Sequence, residues 1–176
     1  MNNNFVISKQ PGRHAEIRLP FSDFSYIATY IVCILFLLQF AFSWQWQALS
    51  EWQSNFYYRQ LSGFAIALLL YLQWRLMWLR SSPNREKSIR ALKRHRWQGV
   101  ILVVLIYLHA NNLGYAYQNL LVIAMLLNVA LGPLNPKAVN YVKAWYVNIW
   151  FMVHICLASL CTIMLLYHIY IVYTFN

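Results

Sequence analysis

The sequence predicts an all-α protein, a polytopic membrane bundle of five transmembrane helices, and three observations carry that reading. Hydrophobic residues make up 61 % of the 176-residue chain and charged residues only 10 %, against roughly 45–50 % and about 25 % in soluble domains. The apolar residues gather into runs long enough to cross a hydrocarbon core of roughly 30 Å, which takes about 20 residues of helix. The basic residues fall in the segments that one side of a membrane would receive. Such a composition excludes a soluble single domain and a disordered chain. With 14 Lys and Arg against 4 Asp and Glu the formal charge is +10, an excess that suits nucleic acid or a membrane surface. The apolar content decides for membrane lipid and against nucleic acid.

Residues 1–25 are polar and lack a small-residue cleavage site, so they predict a retained cytoplasmic tail, with residues 26–176 forming the bundle. Spans one and two are Tyr26 to Trp44 and Leu61 to Leu79. The apolar stretch from Trp97 to Leu131 would be about 52 Å long as one helix, too long for one crossing. Asn111, Asn112, Leu113 and Gly114 divide it, because amides and glycine make a turn that is costly at the bilayer centre. Span three is then Arg94 to Ala110 and span four Tyr115 to Leu131, which stops at Gly132 and Pro133. Span five runs from about Val142 to Tyr173.

Cytoplasmic loops concentrate Lys and Arg. In this layout Lys9, Arg13 and Arg18, the second loop with its flanks from Arg75 to Arg96, and Lys137 with Lys143 all fall on one side, and Arg59 alone falls on the other. The N terminus is therefore predicted in the cytoplasm and the C terminus outside, as for a bacterial inner-membrane protein. A four-span layout is the alternative; it would place Lys137 and Lys143 outside. Trp44, Trp46 and Trp52 mark the outer boundary, and Trp74, Trp78, Trp97 and Trp145 the inner one. Cys33, Cys156 and Cys161 lie in apolar runs, where a thiol packs as a small hydrophobe.

Four of the five histidines form two pairs of equal spacing, His95 with His109 on span three and His154 with His168 on span five. A separation of 14 residues turns an α-helix through about 1400°, roughly 40° short of four turns, and rises about 21 Å. Each pair thus shares one helix face, with one histidine towards each side of the membrane. If span four intervenes, spans three and five are parallel, and His95 is level with His154 and His109 with His168. Facing imidazoles in an apolar bundle are the arrangement that supplies both axial ligands of a haem iron, so the sequence predicts two haem b groups stacked across the bilayer. The plain alternative is that these histidines hydrogen-bond between helices. A single tetrahedral zinc site is disfavoured, since about 21 Å separates successive ligands on one helix. The edge position of His95, between Arg94 and Arg96, implies that span five begins well inside the cytoplasm or that span three is helical before the membrane; the length of span five favours the former.

The run His95-Arg96-Trp97-Gln98-Gly99, then Leu108-His109 with Tyr115 beyond it, and Trp150 to His154 followed by His168, resembles the ferric-reductase-like transmembrane family, which includes the NADPH oxidase membrane core and the haem-bearing membrane partner of a methionine sulfoxide reductase. The resemblance covers roughly half the chain. It implies haem ligation by His95, His109, His154 and His168. The 14-and-14 spacing is shared by the cytochrome b subunits of quinol-oxidising complexes. No G-x-G-x-x-G or P-loop pattern is present, so nucleotide would be handled elsewhere.

Arg75, inside span two, is a candidate partner of a haem propionate, as are Arg94 and Arg96; snorkelling to the interface is the simpler role. Glu16, Asp23, Glu51 and Glu86 are scattered and form no hydrolytic constellation. The predicted function is transmembrane electron transfer, with a quinol or a partner oxidoreductase as donor and an acceptor on the other face. A stand-alone quinone, superoxide or ferric oxidoreductase is the runner-up. A non-redox scaffold or transporter component is the contrasting reading.

Overall fold

The computed structural model describes residues 24–80, 85–110, 114, 116–141 and 143–175, and all regular structure among them is helical. In order the helices are α1 (Phe24–Ala41), α2 (Gln47–Ser54), α3 (Phe56–Arg80), α4 (Arg85–His109), α5 (Ala116–Leu131) and α6 (Ala144–Phe175), with a 3₁₀ turn at Gly132–Leu134 after α5. Three of them, α1, α5 with its 3₁₀ turn, and α6, are long and apolar enough to cross a membrane by length and composition.

Two sequence expectations change. The first is α2, a short helix where a loop was expected between spans one and two. Its Leu49 is buried while Trp46 at its start and Trp52 are exposed, so it has one apolar face and one open face. The second is α4, which begins at Arg85 instead of Arg94. Lys, Arg and Glu are good helix formers, and Glu86 in the first turn complements the helix dipole, so the helix starts in the polar segment and enters the apolar run already formed. His95 and His154 therefore stand equally deep from the starts of their helices, Arg85 and Ala144, and the extra turns before the apolar run belong to α4. The predicted turn at Asn111 to Leu113, the N-terminal tail before Phe24, Tyr115 and Val142 lie outside the described residues. The α5 helix ends at Leu131, where Gly132 and Pro133 take the chain into the 3₁₀ turn.

Helix α4 packs against α1, α3 and α5, and α5 packs against α6. Side chains join α3 to α6: the Trp74 indole N–H donates to Thr162 Oγ1 at 2.9 Å, and the Tyr173 hydroxyl donates to Gln60 Oε1 at 2.7 Å. Helices α4 and α6 thus face each other across a space flanked by α3 and α5. The buried core lies at mid-height in this ring, with Val103 of α4 and Cys161 of α6 each 1 % exposed. Outward faces stay apolar, as at Ile34 and Leu35 on α1 and Ile163 and Leu166 on α6. Large apolar surfaces of this kind suit lipid and not water.

Helix ends are fastened by the neighbouring helix. The last carbonyls of a helix have no partner of their own. At the end of α4, Gln53 Nε2 donates to the carbonyls of Tyr107 and Leu108 at 3.1 Å each, and the Tyr58 hydroxyl donates to Leu108 at 3.0 Å. Where α5 ends, the Trp150 indole donates to the Leu131 carbonyl at 2.9 Å and the Tyr146 hydroxyl to Leu134 at 2.6 Å. Asn135 knots the same region together: its Nδ2 donates to the Tyr26 hydroxyl and the Gly132 carbonyl, and its Oδ1 accepts from the Ala138 N–H. Replacing Asn135 by Ala is expected to lower stability by about 1–3 kcal/mol, the effect of leaving partly buried partners unpaired. The measurement is the thermal midpoint of the detergent-solubilised protein, and an unchanged midpoint would deny the knot its fastening role.

Candidate functional site

The structure brings the four histidines together two by two. His95 of α4 stands against His154 of α6 with ring centroids 6.2 Å apart and planes at 73°. His109 stands against His168 at 6.4 Å and 90°. Since the first histidine of one helix meets the first of the other, α4 and α6 are parallel. Among the described residues no three His, Cys, Asp or Glu side chains gather into a metal-holding group; the histidines meet in twos.

The ring separations exclude a direct hydrogen bond between the imidazoles of each pair. Two imidazoles joined by a direct hydrogen bond would have centroids roughly 5 Å apart. Two imidazoles on opposite sides of one metal, with nitrogen–metal bonds of about 2.0–2.1 Å, would have them roughly 6.4 Å apart. Both observed pairs are too far apart for the first and leave room for the second, a separation that edge-to-face ring contact also gives. Further, Nδ1 of His95, His154 and His168 is buried without a hydrogen-bond partner. A buried polar atom left unpaired is costly, so among the described residues these three rings are not held by hydrogen bonds at Nδ1. The residues present therefore fit a group bound between each pair.

Neighbouring aromatics hold the α6 rings. Trp150 lies one turn before His154 and stacks on it, with centroids 5.2 Å apart and planes 9° from parallel. Its indole is itself pinned to the Leu131 carbonyl, so the His154 ring is held flat against an anchored surface. Tyr117 of α5 lies 6.2 Å from His168 and 5.4 Å from Tyr167. On α4, Gln73 Nε2 of α3 donates to the His95 carbonyl at 3.4 Å, while Gln73 Oε1 is buried and unpartnered.

His109 differs from the other three. Its Nδ1 is 2.9 Å from Ser62 Oγ of α3, and a Cβ added at Gly63 would come within 3.1 Å of its Cε1. The ring therefore lies against bare α3 backbone. Ser62, Gly63 and Gln73 do not stand out from the sequence; the signal for the first two is a serine and a glycine interrupting an apolar span, the small-residue mark of close helix packing.

The basic candidates are dispersed. Arg75 and Arg94 are exposed. Arg96 is half-buried, its guanidinium 4.5 Å from the centre of the Tyr26 ring. That contact places Arg96 against α1, because a guanidinium is attracted to an aromatic face. Arg96 thus takes part in fastening α4 to α1.

No known protein family, curated protein or solved structure matches the chain.

Proposed function

We propose that this chain is a membrane-embedded b-type cytochrome that carries electrons between the two faces of a bilayer. The observation that carries the reading is the pair of level imidazole couples at 6.2 and 6.4 Å, a separation that would leave room for one metal ion between the rings of each. In this reading His95 and His154 would hold the inner haem iron, and His109 and His168 the outer one. Haem b supplies a one-electron iron couple whose potential the protein tunes through axial ligands, hydrogen bonds and burial. The chain's own work is to hold four imidazoles at two heights, to keep water from the apolar midsection around Val103 and Cys161, and to orient each ring by its neighbours.

Five crossings, α1, α3, α4, α5 and α6, fit this role, with the N terminus in the cytoplasm and the C terminus outside a bacterial inner membrane, because the basic residues then gather on one side. Arg75, Arg94 and Arg96 are the candidates for propionate contacts at the inner face. Electrons enter from a quinol dissolved in the bilayer or from a partner oxidoreductase and leave to an acceptor on the opposite face. The four histidines are also the residues that resemble the ferric-reductase-like pattern.

Purified protein produced with ample haem is expected to contain two haem b groups per chain by pyridine haemochrome assay. Because the ring planes of each pair are far from parallel, the ferric protein should give strongly anisotropic low-spin EPR signals. Protein without haem under these conditions overturns the proposal.

Substitution should separate the sites by height. His109→Ala and His168→Ala are each expected to remove the outer haem alone, and His95→Ala and His154→Ala the inner one alone, in difference spectra. Loss of one haem by His109→Ala together with His154→Ala would contradict parallel α4 and α6.

Topology is checked with reporters fused to each end. Cytoplasmic activity at the N terminus and external activity at the C terminus is the expected outcome; both ends on one side would require an even number of crossings.

A further inference from the structure

We infer that Ser62 of α3 selects the proton position of the His109 imidazole, leaving Nε2 as the free nitrogen, and that Gly63 provides the space in which that ring lies. The first part rests on proton counting. A serine hydroxyl has one proton and two lone pairs. Ser62 Oγ is 2.7 Å from the Tyr58 carbonyl one turn earlier and 3.3 Å from the Arg59 carbonyl. Carbonyls accept only, so the hydroxyl proton goes to the shorter of these contacts. What Ser62 then offers His109 across 2.9 Å is a lone pair. The imidazole must be the donor, through Nδ1–H, and a neutral ring with its proton on Nδ1 has an unprotonated Nε2.

The second part is steric. A methyl group at Gly63 would sit 3.1 Å from His109 Cε1 and 3.7 Å from both ring nitrogens, so even alanine there requires the ring to give way by a few tenths of an ångström. The same turn of α3 also holds the backbone beside the ring, since the Tyr58 hydroxyl donates to the Leu108 carbonyl. His109 is thereby fixed at its main chain, its Nδ1 and its ring edge by one short segment, Tyr58 to Gly63.

None of the other three histidines has this arrangement: Nδ1 of His95, His154 and His168 is buried and unpartnered. The two sites are therefore chemically unequal. Built on the di-haem reading, the inference adds that Ser62 is a positioning residue for the outer site. An Nδ1–H that donates to oxygen makes the imidazole a more basic ligand, which favours the oxidised iron and lowers its potential relative to the same site without the bond.

Two measurements on the full chain in detergent test this. In haem-free protein labelled with ¹⁵N-histidine, the His109 signals, assigned by their loss in His109→Gln, should show the proton on Nδ1. Ser62→Ala should move it towards Nε2, and Ser62→Thr should restore it. In haem-loaded protein, redox titration should show a higher midpoint for the outer haem in Ser62→Ala, an unchanged inner haem, and a wild-type value in Ser62→Thr. Gly63→Ala should weaken retention of the outer haem only. A proton on Nε2 in the wild-type chain, or an outer midpoint indifferent to Ser62→Ala, overturns the inference. A proton on Nδ1 in a chain that takes up no haem supports the role of Ser62 and overturns the cytochrome reading, so the two failures are distinct.

Discussion

Fourteen residues of α-helix fall within about 40° of four whole turns, and the candidate site depends on that near-coincidence being used twice in helices that run the same way. Antiparallel helices would also bring histidines face to face, but His95 would then oppose His168. The observed pairing of His95 with His154 and His109 with His168 requires α5 to return the chain through the full height of the bundle before α6 begins. It also requires α4 and α6 to stand apart at both histidine levels, which α3 and α5 achieve by packing between them. The buried core that holds Val103 and Cys161 lies between the two histidine levels.

Height is the quantity such an arrangement must control, and the fold controls it at helix ends. Carbonyls that end a helix in an apolar surround need partners. Gln53 and Tyr58 supply them for α4, and Tyr146 and Trp150 for α5. Each of these bonds runs from a side chain near an end of one helix to the end of another, so sliding a helix along its axis breaks several at once. His109 is the last residue of α4, directly after the fastened carbonyls, and His154 follows Trp150 by one turn. The caps that satisfy the backbone also set the register of the rings.

Much of this was legible in the sequence. The helical class followed from composition, the break between α4 and α5 from the Asn-Asn-Leu-Gly run, and the end of α5 from Gly132 and Pro133. The histidine pairs followed from spacing alone, because helix periodicity is a local property that any reader of positions can apply. The start of α4 was missed because hydropathy locates the edge of an apolar run, whereas helix propensity and dipole complementarity let the backbone coil continue through Arg85 to Arg96. Helix α2 was missed for a related reason: an eight-residue segment with a single buried leucine carries no periodic signal to count. The contacts of His109 with Ser62 and Gly63, and of Arg96 with Tyr26, join residues far apart in the chain and exist only through packing. No spacing rule reaches them.

The vertical distance between the two histidine levels also makes the proposed carrier sensitive to voltage. A rise of about 21 Å is roughly two-thirds of a hydrocarbon core about 30 Å thick. A unit charge moved across a whole membrane exchanges about 2.3 kcal/mol per 100 mV, so an electron passing between the levels exchanges about 1.6 kcal/mol per 100 mV. Transfer from the inner to the outer level carries negative charge out of a cytoplasm that is already negative. An energised membrane would therefore assist it, and collapse of the membrane potential would slow it without altering a single contact in the protein.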